Sequence, residues 1–271
     1  MASKPLAGKL FLLTGAGSGI GRATAIKLAS LGARLALTDI NPDSCAQTKQ
    51  LCGAGTTAYC GALDVTASEA VAACVRDVVA AASASSSSSS ANAGADAPAA
   101  SAAVLHGVFN CAGVNPTSYD LTDTDDAYWD KLVNTNLRGV YLVTRATMPH
   151  MATPGGAYVN VSSICGVRGF ARQAIYCATK WGVVGFSKSM ALELGPRGVR
   201  TNVVAPGYID TPTNAGVVKG GDAVAGMARG NALERMGTPE EVADVVAFLF
   251  GEESRYMNGS VVEVDGALRA P

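Results

Sequence analysis

Charge of either sign is scarce in this chain: Lys and Arg number 21, Asp and Glu 22, and the net charge is −1. So thin and balanced a charge offers no basic face to nucleic acid or to an anionic membrane surface. Histidine occurs only twice, at His106 and His150, and the seven cysteines include no CxxC pair. That leaves no zinc site of familiar spacing, and an odd cysteine count argues against a disulfide framework. No metal is expected, and a reducing, cytoplasmic setting is. No apolar run approaches membrane-spanning length, and the opening MASKPLAGKLFLLTG lacks the sections of a secretion signal.

What the chain has is aliphatic bulk, with 48% hydrophobic residues among 271, enough for the core of one large domain over 1–271. Apolar runs at Lys9–Thr14, Arg34–Asp39, Thr57–Asp64, Val104–Asn110, Ala157–Ser162, Arg200–Ala205 and Val261–Val264 read as strands. Between them lie helical patterns. The first has apolar positions at Ile20, Ala23, Ile26, Leu28 and Leu31. Another is opened by Pro42, and the rest cover Glu69–Ala82, Asp125–Met148, Ala174–Leu194 and Pro239–Phe250. Strands that are apolar throughout, alternating with helices, imply a mostly parallel sheet covered on both faces. The expected fold is a doubly wound α/β sheet of the Rossmann type.

One stretch interrupts the alternation. Ser85–Ser90 are six consecutive serines set in alanine, with Gly94 and Pro98 close behind. Such a composition cannot bury enough apolar surface to offset its ordering entropy. The expectation is a tolerated surface insertion at about 83–101, not a domain boundary.

Thr14-Gly15-Ala16-Gly17-Ser18-Gly19-Ile20-Gly21 joins the first strand to the first helix. Glycines there allow a tight turn and close backbone approach to a pyrophosphate, and the helix N-terminus supplies free N–H groups. Asp39 ends the second strand eighteen residues beyond Gly21. A carboxylate at that place accepts from ribose hydroxyls and repels a 2′-phosphate, which points to NAD; the other reading is a turn residue before Asn41-Pro42. Tyr176 and Lys180 lie four apart at the start of a helix, on one face. A cation near a phenol of pKa near ~10 favours its ionised form. Ser163 precedes Tyr176 by thirteen residues, at the carboxyl end of the fifth strand, where this architecture places ligands.

These residues, with Asp64, Asn110-Cys111-Ala112-Gly113, Asn136-Leu137-Arg138-Gly139 and Pro206-Gly207, make the chain resemble the short-chain dehydrogenase/reductase family. The resemblance spans nearly everything but the Ser/Ala stretch. It departs at Cys111, where a second Asn is frequent, and at Ala267, where a second Gly is. It implies Tyr176 as general acid/base, Ser163 as a hydrogen-bond donor to the substrate oxygen, and Lys180 as ribose ligand and depressor of the tyrosine pKa. Asn136 would hold a proton-relay water. The cofactor would meet Gly15, Gly17, Ser18, Gly19, Ile20 and Gly21, then Asp39 and Ile40, with Asp64 and Val65 at the adenine. Asn110, Ala112 and Gly113 would line its floor, and Pro206, Gly207, Ile209 and Thr211 its carboxamide end. Plainer readings stay open: a helix kink for Asn136, a cap for Ser163, turn or loop residues for Asp64 and Thr211.

The expected activity is NAD(H)-dependent interconversion of a secondary alcohol and a ketone. The alternatives are an NADPH-dependent carbonyl or 3-oxoacyl reductase, and a non-catalytic NAD-binding regulator. Residues 208–236, rich in glycine, suggest a mobile substrate lid. Cys165, Val167, Phe170 and Met227 are candidate walls for an uncharged substrate. The resemblance further implies a homo-oligomer, a tetramer, for which Val140, Val143, Val183, Phe186 and Met190 offer apolar surface on more than one helix face.

Overall fold

The computed structural model of the chain describes residues 4–87, 104–115, 118–212 and 221–268. Strands β1 (Leu10–Thr14), β2 (Arg34–Asp39), β3 (Thr57–Ala62), β4 (Gly107–Asn110), β5 (Ala157–Val161), β6 (Arg200–Pro206) and β7 (Val261–Val264) form one sheet in the order β3-β2-β1-β4-β5-β6-β7. Each pairs in parallel with its neighbours. The helices are α1 (Gly19–Ser30), α2 (Pro42–Cys52), α3 (Ser68–Ser87), α4 (Asp126–Val133), α5 (Gly139–Thr147), α6 (Ala174–Leu194), α7 (Gly221–Arg229) and α8 (Pro239–Phe250).

Alternation along the strands builds two cores. Phe11, Leu13, Leu35, Leu37 and Val159 point to one face and pack with Leu28 of α1 and Val246 and Phe250 of α8. Leu10, Leu12, Val108 and Tyr158 point to the other, against Val75 and Val78 of α3, Val143 of α5 and Leu194 of α6. Both faces are therefore dry, which is why these strands read as unbroken apolar runs. Gly107 leaves room for the edge-on pair of Phe11 and Phe250, whose ring centroids are 5.1 Å apart. A capping box closes α8, with Thr238 Oγ1 accepting from Glu241 N–H and the Glu241 carboxylate accepting in return from Thr238 N–H.

Register aligns the strand ends. Thr14 pairs with Thr38 and Asn110, Asn110 with Asn160, and Asn160 with Val203, so one row of residues crosses the sheet just below its carboxyl edge. Two of that row form a buried polar chain. Asn110 Nδ2 donates to Asn160 Oδ1 at 2.8 Å and to Thr144 Oγ1 at 3.3 Å, and Asn160 Nδ2 donates to Ser187 Oγ at 2.9 Å. This chain ties β4 and β5 to the helices in front of them.

The structure corrects several expectations. The single helix expected over Asp125–Met148 is divided by a π turn at Asn134–Arg138, where Gly139 N–H reaches back five residues to the Asn134 carbonyl. A Cβ on Gly139 would lie 2.8 Å from Val65 Cγ2, and Arg138 Nη1 donates to the Thr66 carbonyl at 2.6 Å, so the extra residue seats the helix against the β3 exit. Ile26, expected on the apolar face of α1, is 37% exposed and not part of the core. Helix α7 falls inside the segment expected to be a lid, of which 213–220 lies outside the described residues. Val140, Val143, Val183 and Met190 are all buried, so they are not free to meet another subunit. The outward apolar groups on α4, α5 and α6 are Trp129, Tyr141, Trp181 and Leu192.

The expected insertion also starts later than 83. Helix α3 continues to Ser87, Ala82 is buried, its carbonyl accepts from Arg34, and Ser83 Oγ bonds the Val79 carbonyl. Alanine and serine can extend a helix already anchored by packing. Of the remaining insertion, 88–101 lies outside the described residues. Deleting Ala91–Ala100 is expected to shift the thermal midpoint by no more than a few degrees and to leave turnover intact. The cut falls in the sequence between α3 and β4, the start of β4 lies at the sheet edge opposite the cavity described next, and loop-closure entropy varies only logarithmically with length. Calorimetry and steady-state rates on the deletion variant check this; a large drop in turnover contradicts it.

Candidate active site

A cavity of about 1130 Å³ opens at the carboxyl edge of the sheet, beside β1 and β4, where the strand order reverses. At one end is the β2 terminus. Asp39 accepts from Gly17 N–H at 2.8 Å through Oδ2 and from Asn41 N–H at 2.9 Å through Oδ1. A Cβ on Gly17 would strike this carboxylate. Asp39 is thus both the turn residue and a cavity-lining acceptor, with lone pairs left for further donors. Exposed Ile40 lies beside it on the cavity wall. Asp64 and Val65 line the next stretch. Asp64 Oδ1 accepts from the N–H and hydroxyl of Thr66, at 2.9 and 2.8 Å, so the carboxylate also holds its own turn.

The glycine-rich turn forms the middle of the cavity. Gly15 has φ +65°, and a Cβ there would lie 2.8 Å from the Ala112 nitrogen. Gly21 faces the Gly15 carbonyl so closely that no side chain fits. Ser18 precedes α1 and makes no capping bond, and Ser18, Gly19 and Ile20 line the cavity at the helix N-terminus. Unpaired N–H groups, backbone stripped of side chains and a nearby ribose acceptor fit a dinucleotide with its diphosphate on α1.

At the other end, Ser163, Tyr176 and Lys180 line the cavity together. Ser163 leaves β5 in extended conformation and its Oγ caps a short 3₁₀ turn by accepting from Cys165 N–H at 3.2 Å. Ser162 Oγ donates to the Lys180 carbonyl at 2.9 Å, and Gly166 leaves no space for a Cβ between them, so β5 and α6 are locked in register. Lys180 is only 5% exposed; its Nζ donates to the Val161 carbonyl at 3.1 Å and sits 5.6 Å from the Tyr176 ring centroid.

Burial holds the Tyr176 phenol well above its ordinary pKa, and the Cys165 thiol adds to this, while the Ser163 hydroxyl works the other way. Lys180 Nζ is aimed at a strand carbonyl, and burial is the main influence on the phenol. Burial also brings the Lys180 ammonium down to about 8. Folding therefore opposes its charge below pH 8, and this penalty, on the order of 3 kcal/mol, fades as pH rises toward the unfolded-state value near ~10.4. Lys180→Met, which never bears the charge, is expected to lose that gain. Between pH 8 and 10 the stability of the wild type should rise relative to the variant, as measured by denaturant unfolding. A pH-independent difference would show that Lys180 is not held against burial.

Four expected site residues stand behind the cavity and not on its wall: Gly17, Gly21, Asn110 and Asn136. Asn110 belongs to the buried chain between strands. Asn136 is 1% exposed, and its amide accepts from Val114 N–H at 2.8 Å and donates to the Val114 carbonyl at 3.0 Å. It pins the loop after β4 to the π turn. Ala112, Gly113, Pro206, Gly207, Ile209 and Thr211 all line the cavity as expected. Of the candidate walls, Cys165, Phe170 and Met227 take part and Val167 does not. Sequence reasoning missed Ser118, Asp130, Lys131 and Gln173, which line the cavity from loops and helix α4, and Tyr208, at the start of the expected lid, joins them. Only Gln173 had a signal, its place one helical turn ahead of Tyr176.

A family model described as enoyl-(acyl carrier protein) reductase matches residues 15–85 and 84–268. The chain belongs to the short-chain dehydrogenase/reductase family. Within this family of oxidoreductases, the human (3R)-3-hydroxyacyl-CoA dehydrogenase is 37% identical over 96% of this chain and 95% of the relative. The 3-oxoacyl-[acyl-carrier-protein] reductase of Thermotoga maritima is 35% identical over 97% and 98%. A levodione reductase crystal structure superposes with TM-score 0.85 at 30% identity, covering 96% of this chain and 97% of that one. Family membership brings a nicotinamide cofactor, NAD or NADP.

Proposed function

We propose that this short-chain dehydrogenase/reductase interconverts a secondary alcohol and a ketone with NAD(H), Tyr176 being the general acid/base. The observation that carries the reading is the meeting of Ser163, Tyr176 and Lys180 at one end of a cavity whose other end presents the Asp39 carboxylate. The cofactor, when bound, supplies or accepts the hydride. Gly15, Ser18, Gly19 and Ile20 would seat its diphosphate, with Gly17 and Gly21 keeping the turn tight behind them, Asp39 would hold its adenosine ribose, Val65 its adenine, and Ile209 and Thr211 its carboxamide end. Ser163 holds the substrate oxygen against the phenol. Tyr176, kept neutral by burial, is ready to give its proton to a ketone oxygen, and must release it before an alcohol can be oxidised. Lys180, brought to about 8, readily passes protons toward the exterior near neutrality.

The names of the relatives, a hydroxyacyl dehydrogenase and two carbonyl reductases, support the alcohol–ketone chemistry. Reduction of 3-oxoacyl groups with NADPH is the second reading, favoured by the Thermotoga maritima relative and opposed by Asp39. Titration of the protein with NADH and NADPH, followed by fluorescence of the reduced nicotinamide, tests the cofactor half. Tighter NADH binding is expected, and tighter NADPH binding overturns it. Seven free thiols suit a reducing, cytoplasmic setting. Trp129, Tyr141 and Trp181, exposed on neighbouring helices, support a homotetramer. Sedimentation at micromolar protein should give a tetramer, and a stable monomer contradicts it.

A further inference from the structure

We propose that Cys45 and Cys60 are a redox-modified pair: hydrogen peroxide joins them in a reversible disulfide that staples α2 to β3 and weakens binding of the dinucleotide at Asp39. The effect on the cofactor rests on the placement of the adenosine ribose proposed above; formation of the bond does not.

Cys45 ends the first turn of α2, and Cys60 lies in β3, the edge strand of the sheet. Both pack on the core face that holds Leu37. Cys60 Sγ donates to Cys45 Sγ at 3.2 Å, so a bond of about 2.05 Å brings the sulfurs only roughly 1 Å closer. Cys45 is fully buried, whereas Cys60 is half-buried. Cys60 is therefore the thiol that a small oxidant reaches first, and Cys45 the partner that resolves it. Burial, and then the Cys60 thiol, hold the Cys45 thiol well above its ordinary pKa, so it stays protonated until that step. The Cys60 sulfur takes one oxygen of the peroxide; the O–O bond breaks, water leaves with the Cys60 proton, and the thiol becomes a sulfenic acid. The Cys45 sulfur then displaces the sulfenic hydroxyl, which departs with the Cys45 proton as a second water. The peroxide is reduced to two waters, and the two thiols are oxidised to one disulfide.

The first turn of α2 also shapes the Asp39 end of the cavity. The Asn41 side chain caps α2 by accepting from Asp43 and Ser44 N–H, its own N–H donates to Asp39 Oδ1, and its carbonyl accepts from Cys45 N–H at 3.2 Å. Ser44 packs beside Asp39, since a Cβ on Gly17 would lie 2.8 Å from both Asp39 Cγ and Ser44 Cβ. Arg22 donates to the carbonyls of Gly17 and Ser44 and to the Thr48 hydroxyl, tying the glycine turn to α2. A pull on Cys45 toward β3 therefore reaches Asp39 through Asn41 and the glycine turn through Ser44. In the sheet order β3 lies beyond β2 from β1, so the pull draws Ser44 away from Gly17. Binding groups act when held within about 0.5 Å of their working geometry, so a shift of this size loosens the seat of the dinucleotide.

The test treats the reduced full-length enzyme with hydrogen peroxide and follows two quantities separately. Peptide mapping by mass spectrometry detects the cross-link, and titration with NADH or NADPH, whichever binds the untreated enzyme more tightly, gives the affinity. A Cys45–Cys60 cross-link is expected. The dissociation constant should rise roughly tenfold, the scale of one hydrogen bond to a charged group, and dithiothreitol should restore it. Cys45→Ala and Cys60→Ala, small apolar replacements for a small apolar side chain, should bind as the reduced wild type does and keep that affinity after peroxide. Absence of the Cys45–Cys60 cross-link, or a Cys52–Cys60 link in its place, overturns the proposal. So does a cross-link that leaves affinity unchanged, or an equal loss of affinity in both variants, which would place the oxidation at another thiol such as Cys165. An untreated enzyme that binds neither NADH nor NADPH overturns the cofactor reading and the effect on affinity with it, while the cross-link is still decided by mass.

Discussion

Tyr176→Phe is expected to lower turnover by roughly 10²–10⁴-fold while leaving cofactor affinity nearly unchanged. The substitution removes one oxygen and keeps the ring. That ring packs with Ile164, Cys165, Cys177, Phe170 and Tyr208, so the wall of the cavity and the start of α6 should survive. Ser163 would still bind the substrate oxygen, but nothing at the right place could give or take the proton. Because burial holds the wild-type phenol protonated, alcohol oxidation should rise with pH toward the alkaline range, and ketone reduction should fall over the same interval. The variant should lose this dependence. Steady-state rates in both directions, with a separate binding titration, check all of it. Turnover within a few-fold of wild type in a folded variant would remove Tyr176 from the chemistry.

Asp39→Ala should lower the ratio of NAD to NADP efficiency by roughly one to two powers of ten, the scale of one or two charge-assisted hydrogen bonds. On the proposed reading the carboxylate would repel a 2′-phosphate and accept from ribose hydroxyls, and both effects would vanish together. Its bonds to Gly17 N–H and Asn41 N–H vanish as well, so some stability should be lost too. Asp39→Asn separates the two contributions. It retains an acceptor for the turn and discards the charge, so it should recover stability but not the full NAD preference. If the cofactor ratio stays fixed in both variants, Asp39 acts only on the turn.

The fold was legible because its physics is local and repeated. Buried parallel strands announce themselves as apolar runs, and α6 and α8 begin and end where their patterns do. The break in the helix over Asp125–Met148 was not legible. It arises from Val65 and Thr66, far off in sequence, pressing on Gly139 and Arg138. Helix α3 overran its expected end because alanine and serine extend a helix whose apolar face is already buried. In the site, motif spacing located Ser163, Tyr176, Lys180 and Asp39, since strand ends and helix turns set those positions. It could not tell wall from support: Asn110 and Asn136 share the motifs, yet their amides bond Asn160, Thr144 and Val114 behind the cavity. Gln173 was missed because its surroundings come from a separate loop, 118–120.

Absorbance of the reduced nicotinamide during incubation of the enzyme with NAD, or in parallel NADP, and a panel of secondary alcohols tests the central claim most directly. Reduced cofactor should accumulate with at least one alcohol, faster with NAD than with NADP. Accumulation only with NADP would contradict the reading of Asp39. Binding of NAD without turnover of any alcohol, or of the corresponding ketones with NADH, would contradict the assignment of Ser163, Tyr176 and Lys180 to catalysis.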